Sequence, residues 1–210
     1  PSGTTTVLSA TPGTVIPTTA PPNIFAETQI ASGLGTYLSK VELYLEITHT
    51  FGSDLDITLT SPAGTVVTVT TDNAGSNDNT FNGSLFDPSS ANAVSDYVFT
   101  NLVVATLLAP EGSFDNFLGQ DPNGMWTMTV SDDANADGGT IVRWDLRLTT
   151  IAVPSPSAPT TAAGPGGAIP DFSGGVTPVP TIYTANVAAG TFLWDVDLNT
   201  LITHRIVPPR

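Results

Sequence analysis

Apolar and polar side chains alternate along several short stretches of this chain. The clearest alternation runs from Val41 to Ile47, where every second residue is aliphatic. A repeat of two residues predicts a β-strand that buries one face and exposes the other. Further strands are predicted at residues 56–60, 65–70, 97–108, 125–130 and 139–148, with a polar loop at residues 71–96. No window shows a helical repeat over three turns, so the sequence predicts an all-β fold.

Proline, glycine and serine divide the chain into four segments. Residues 1–23 contain prolines among small residues and are predicted as an extended N-terminal arm. Residues 24–151 hold most of the predicted strands and are expected to form a β-sandwich. Residues 152–167 have the composition of a linker, and residues 168–210 form a second, shorter β-like segment.

The C-terminal segment resembles the first long predicted strand. Leu193–His204 and Leu38–His49 share six of twelve residues in the same phase, and Gly-Thr precedes both. This similarity predicts an incomplete second copy of the domain. The copy is expected to pair with the next subunit, to belong to a longer tandem array, or to dock on its own sandwich. Its candidate pairing residues are Thr181, Tyr183, Phe192, Trp194, Val196, Leu198 and Ile202.

Charge and composition narrow the classes of partner. The chain carries 19 acidic and 5 basic residues, for a net charge of −14, and it has no cysteine. Nucleic acid and anionic membrane surfaces are therefore poor partners, whereas divalent cations are good ones. The apolar stretches are too short to span a bilayer. An acidic surface with a single lysine predicts an extracellular or cell-surface protein.

Several motifs occur in the order found in one known family. They include HTFGSDLD at 49–56, LTSPAGT at 59–65, NGMWTMTV at 123–130 and the later Trp144. With these motifs, residues 24–151 resemble the P domain (P/Homo B domain) of proprotein convertases and bacterial secreted proteins. The resemblance implies a jelly-roll β-sandwich of about eight strands. It also implies a non-catalytic module that packs beside a protease domain and often binds calcium.

Acidic side chains form two candidate calcium sites. The sequence DANADG at 133–138 places oxygen atoms at alternate positions, as a hard cation requires, but lacks the last acidic ligand of an EF-hand. Asp54 and Asp56 accompany the acidic 71–96 loop, where a cation would relieve charge repulsion. The candidate ligands are Asp54, Asp56, Asp72, Asn73, Asp78, Asp87, Asp132, Asp133, Asn135 and Asp137. They predict one or two calcium ions, with solvated acidic loops as the alternative.

Other side chains with possible chemistry have structural interpretations. The sequence proposes no nucleophile or orienting group for His49, so we expect a strand-end histidine that bonds to a neighbouring loop, and no enzyme activity. Trp126 and Trp144 are predicted in the core. Asn82 begins an Asn-Gly-Ser glycosylation sequon in a predicted loop.

Three functions agree with these features. The leading hypothesis is a calcium-stabilised extracellular structural module that assembles head-to-tail into a fibre, matrix or adhesin by C-terminal strand donation. The alternative is an accessory P domain that stabilises or targets a secreted protease encoded outside this chain. The third is a surface- or carbohydrate-binding module, although the sequence alone assigns no exposed aromatic platform.

Overall fold

The computed structural model describes residues 3–151, 183–187 and 190–194. The chain divides into two units, residues 1–153 and 154–210. The described residues form β-strands and three short 3-10 turns, and no α-helix occurs among them. The predicted all-β class is therefore confirmed.

Ten strands build the first unit. In chain order they are β1 (Thr4–Ala10), β2 (Thr14–Ile16), β3 (Asn23–Ala31), β4 (Tyr37–His49), β5 (Leu55–Thr60), β6 (Val66–Thr70), β7 (Asn82–Phe86), β8 (Leu107–Leu108), β9 (Gly124–Asp132) and β10 (Gly139–Ile151). The 3-10 turns are Gly52–Asp54, Val94–Asp96 and Phe114–Phe117.

The strand order is that of a jelly roll. One six-stranded sheet has the order β1-β10-β4-β7-β8, with β2 also paired to β10, and the second sheet has the order β3-β9-β5-β6. Neighbouring strands are antiparallel except for the β7–β8 pair. The chain crosses between the sheets from β4 to β5 and from β9 to β10, as in double Greek-key sandwiches. The predicted jelly-roll β-sandwich is confirmed.

The core lies between the sheets and follows the predicted alternation. On β4, the apolar residues from Val41 to Ile47 are buried, and the residues between them are half-exposed. Trp126 and Trp144 are both fully buried, as predicted. The indole Nε1 of Trp126 donates to the carbonyl of Pro122 at 2.9 Å, so burial leaves no unpaired donor there.

The N-terminal residues contribute strands to the larger sheet. Strand β1 pairs along β10, from Thr4 opposite Thr150 to Ala10 opposite Trp144. Strand β2 continues this edge, with Ile16 opposite Gly139. The residues predicted as an extended arm therefore include two hydrogen-bonded strands of the sandwich.

Two local predictions were wrong. The predicted loop at 71–96 contains β7, and Asn82 begins that strand instead of lying in a loop, although its side chain is exposed. Residues 97–108, predicted as one or two strands, hold only the two-residue β8 and an isolated bridge between Thr100 and Val103. Branched apolar residues favour strands, but a strand also needs a partner, and Val98 is 85% exposed.

The second unit is described by the backbone of two strands. Strands β11 (Tyr183–Val187) and β12 (Gly190–Trp194) pair antiparallel, with Tyr183 opposite Trp194. Three pairing candidates, Tyr183, Phe192 and Trp194, lie on these strands. The others, Thr181, Val196, Leu198 and Ile202, lie outside the described residues, and so does the predicted 152–167 linker.

The basic side chains of the first unit occupy the outer face of the six-stranded sheet. Lys40 contacts Asp87 at 2.9 Å and Glu42 at 3.2 Å. Arg143 binds Asp145 through two nitrogens at 2.7 and 2.8 Å and lies over the Tyr44 ring. These contacts neutralise part of the charge on that face.

Candidate functional site

Acidic residues meet where the chain crosses between the sheets. Leu55, the first residue of β5, pairs with Asp132, the last residue of β9. Asp54 ends the turn that leads from β4 to β5 and is buried. The crossing from β9 to β10 passes through the predicted DANADG loop, and the backbone N–H of Asp133 donates to the carbonyl of Asp54 at 3.2 Å. The fold therefore joins residues from both predicted acidic groups.

His49 lies beside this acidic group and has almost no access to solvent. Its Nδ1 is 2.8 Å from the carbonyl oxygen of Phe51, which confirms the predicted strand-end histidine bonded to a neighbouring loop. Its Nε2 is 3.7 Å from the Oδ2 of Asp132, and these two side chains are 2% and 0% exposed. Neither atom has a hydrogen-bond partner among the described residues. The pair is therefore a buried polar contact without full hydrogen bonding.

The pKa values of two carboxyl groups reflect the crowding. Burial raises the pKa of Asp54, and the charges of Asp132, Asp137 and Asp133 raise it further, while His49 opposes them. Burial also raises the pKa of Asp56, followed by the charges of Asp72 and Asp133. Asp133 thus acts on both carboxyl groups, and ionisation of each is less favourable than for the same group in water.

Hydrogen bonds anchor the 133–138 loop near both ends, and residues in between are exposed to solvent. The Oδ1 of Asp137 accepts from the Thr50 hydroxyl at 2.9 Å. The Oδ1 of Asp132 accepts from the N–H of Ala134 at 3.3 Å. Asp133 and Asn135 are exposed. The alternating side chains of the predicted motif therefore do not all turn toward one point.

The 71–80 residues form the other side of the region. Asp72 is exposed with a positive φ of 52°, and its charge acts on Asp56. The amide of Asn73 donates to Thr70 and to Glu111. The backbone N–H of Asp78 donates to the side-chain oxygen of Asn101 at 2.6 Å. Within this segment, Asp72 is the residue whose charge acts on the acidic group, because it raises the pKa of Asp56.

Asp87 lies at the end of β7, in the other sheet. Burial opposes its ionisation, but the hydroxyl and N–H of Ser89 and the ammonium of Lys40 donate to its carboxylate and hold its pKa at about 2. The ammonium group of Lys40 therefore already neutralises the Asp87 carboxylate. Asp87 also follows a different strand from the one that holds Asp56.

The acidic region has some of the features of a metal site. The Oδ1 of Asp56 and the Oδ2 of Asp132 are buried and lack hydrogen-bond partners among the described residues. Carboxylate oxygens of this kind suit calcium. Within residues 3–151, however, no group of three or more acidic or histidine side chains converges as a metal site. The carboxylate oxygens are of the type that calcium binds, but the described side chains do not converge around one point.

A second region was missed by the sequence analysis. Tyr97 and Phe99 lie in the irregular segment between β7 and β8, and their ring centroids are 4.9 Å apart. Tyr97 lines two surface depressions, one of about 280 Å³ and one of about 380 Å³. The only sequence signal is the pair of aromatic residues that flank Val98, within the segment predicted as strand.

The fold and the sequence profile lead to the same family. The two sheets, joined by alternating crossings, define a jelly-roll β-sandwich module. The sequence profile of the proprotein convertase P-domain matches residues 38–148, from β4 to β10 and slightly more than half of the chain. The chain belongs to this P-domain family. A P domain is a non-catalytic module, and no helix in the described part of the chain is long and apolar enough to cross a membrane.

Comparison with solved structures gives matches to a bacterial protease. The chain has 16% identity to a serine protease of Aeromonas sobria, with a TM-score of 0.45 over 72% of this chain. The same protease in complex with its chaperone gives 17% identity and a TM-score of 0.45 over 73%. In both cases the chain spans 28% of the protease's length. No curated protein sequence matches the chain.

Proposed function

We propose that this chain is the P-domain part of a secreted serine protease, and that it stabilises or targets a catalytic domain encoded outside these residues. The observation that carries the proposal is the P-domain match over residues 38–148. P domains occur in secreted proteases, so the proposal places the protein outside the cell. It replaces the fibre hypothesis as the leading function.

The buried charges agree with a module that stabilises a fold instead of performing catalysis. His49 contacts Asp132 and Phe51, both within the sandwich, and is nearly inaccessible to a substrate. The function of such a module lies in its surfaces and in its stability.

Solution mass separates this proposal from strand donation. We expect residues 1–210 and a version ending at Ile151 both to be monomers by light scattering in calcium, because a P domain needs one catalytic partner and not a chain of copies. The reading frame that encodes the chain should also contain a serine protease sequence. Large species formed by 1–210 but not by the shorter version would instead support assembly through residues 168–210.

Calcium is a further part of the proposal. We assign Asp54, Asp56, Asp132 and Asp133 as its acidic neighbours. Asp56 and Asp132 have buried oxygens without partners, and the charge of Asp133 raises the pKa of Asp54 and Asp56. A bound cation would remove the repulsion among them. It would thereby stabilise the crossings from β4 to β5 and from β9 to β10.

Calcium should raise the melting temperature at pH 7. Calcium at about 100 times its dissociation constant stabilises by about 2.7 kcal/mol, which corresponds to roughly 5–10 °C in a chain of this size. Because the pKa values of Asp54 and Asp56 are raised, the ion-free protein loses stability as pH rises through those values. The calcium effect should therefore shrink as pH falls through those values, because protonation removes the charge that binds the ion.

Differential scanning calorimetry with and without calcium measures this effect. Asp133→Asn should reduce the shift, because its exposed carboxylate acts on both buried groups. Asp115→Asn removes one exposed charge elsewhere and serves as the matched control. An equal shift in the two variants, or equal shifts with magnesium, would exclude this site.

A further inference from the structure

Two depressions lie side by side on the irregular segment that follows β7. The first, of about 280 Å³, is lined by residues 72–75, 77, 94, 95, 97 and 99. The second, of about 380 Å³, is lined by residues 91–93 and 96–98. Tyr97 belongs to both, so a single aromatic side chain separates two adjoining concave surfaces. An extended ligand placed across them would contact this ring.

Packing against the core fixes the position of Tyr97. Its ring meets Phe99 nearly edge to face, at 68° and 4.9 Å. Phe99 in turn meets Phe81 at 76° and 5.7 Å, and Phe81 is 1% exposed. Edge-to-face pairs of this kind are favourable and directional. The surface ring is thus the outer member of an aromatic row that begins in the core, and it is oriented before any ligand arrives.

The polar lining offers hydrogen-bond acceptors in fixed orientations. The amide nitrogens of three asparagines donate inside the protein: Asn73 to Thr70, Asn77 to Ala74 and Asn92 to Leu107. Their side-chain Oδ1 atoms receive no hydrogen bond from the described residues. Two hydroxyl groups, on Ser95 and Tyr97, can donate or accept. The lining therefore suits a ligand with many hydroxyl groups.

Charge excludes anionic ligands from the two depressions. Asp72 and Asp96 line them, and no basic side chain does. The basic residues of the first unit lie on β4 and β10, where Lys40 and Arg143 are paired with carboxylates. Sulfated, phosphorylated or uronic-acid ligands would meet negative charge without a counter-charge. Anionic ligands are thus disfavoured, and the acceptor and hydroxyl groups of the lining favour a neutral ligand rich in hydroxyl groups.

We propose that these depressions bind a neutral oligosaccharide chain, with Tyr97 stacked against a sugar ring between two neighbouring units. A pyranose has an apolar C–H face and a polar hydroxyl edge. The half-buried rings of Tyr97 and Phe99 match the face, and the asparagine oxygens match the edge. The site is independent of the protease assignment, because it requires only the folded sandwich.

Binding of neutral hexasaccharides to the full chain tests the proposal. The probes are the hexaoses of cellulose, amylose, mannan and chitin, titrated by calorimetry and by chemical-shift changes in NMR spectra. We expect one of them to bind, and Tyr97→Ala to weaken that binding about tenfold or more. Tyr97→Phe keeps the ring and should retain most of the affinity. Val103→Ala alters an exposed side chain that lines neither depression and should have no effect.

Other outcomes would overturn the site. If Tyr97→Ala fails to fold, Tyr97→Leu preserves an apolar side chain of similar width and should fold without binding sugar. Failure of all four probes at millimolar concentration contradicts the proposal. So does binding that survives both Tyr97→Ala and Tyr97→Leu. Tighter binding of an arginine-containing peptide than of any sugar, lost in Tyr97→Ala, would assign the depressions to cations instead.

Discussion

Replacing Gly139 with alanine is expected to destabilise the sandwich by more than about 3 kcal/mol, beyond the usual effect of overpacking. A Cβ at this position would lie 1.7 Å from the carbonyl oxygen of Thr48 and 2.9 Å from the Cα of His49. Both atoms belong to the backbone of β4, which cannot rotate away as a side chain could. Gly139 also pairs with Ile16 on its other side, so β10 is enclosed by two strands there.

Urea unfolding followed by tryptophan fluorescence measures this loss. Gly64→Ala is the matched control, because its Cβ would meet no atom within 4 Å and only its φ of +82° opposes the change. That variant should lose about 1–2 kcal/mol. If Gly139→Ala unfolds at the same urea concentration as Gly64→Ala, the close approach of β10 to β4 is not present in solution.

Trp126→Ala is expected to lower the free energy of unfolding by about 3–5 kcal/mol. Its indole is fully buried, packs nearly edge to face against Phe117 at 5.2 Å, and donates to the Pro122 carbonyl. Truncation therefore leaves a large cavity and an unpaired acceptor. A typical domain has a total stability of about 5–15 kcal/mol, so the change removes a large part of it.

Met125→Ala provides the control on the same strand. Met125 precedes Trp126 but points away from the core and is 57% exposed. We expect its loss to change stability by less than about 0.5 kcal/mol, the usual range for surface positions. Equal losses in the two variants, measured in the same urea titration, would contradict the inward and outward assignment of β9.

The strands predicted best from sequence are those with one buried face. Alternation from Val41 to Ile47 correctly located β4, because each aliphatic residue there faces the opposite sheet. The same reasoning from sequence failed at residues 97–108. Its apolar residues do not alternate against a partner strand, and several are exposed. Local propensity cannot show whether a neighbouring strand is available, since that depends on residues far away in the chain.

The candidate site was only partly accessible to sequence reasoning. The acidic composition pointed to Asp54, Asp56 and Asp132, but their proximity depends on the pairing of β5 with β9. The partner of Asp87 is Lys40, 47 residues earlier, and no local pattern marks that contact. Tyr97 is similar: its role depends on two depressions formed by several separate segments.

The pairing of β1 with β10 has a mechanical consequence. Thr4 lies opposite Thr150, so the chain enters and leaves the sandwich at neighbouring points of one sheet. Hydrogen bonds between antiparallel strands run perpendicular to the strands. Tension applied through these two points would break the hydrogen bonds between β1 and β10 one after another, beginning at Thr4. A force applied between Thr4 and Thr150 would therefore meet one hydrogen-bonded pair at a time, instead of all the β1–β10 bonds together.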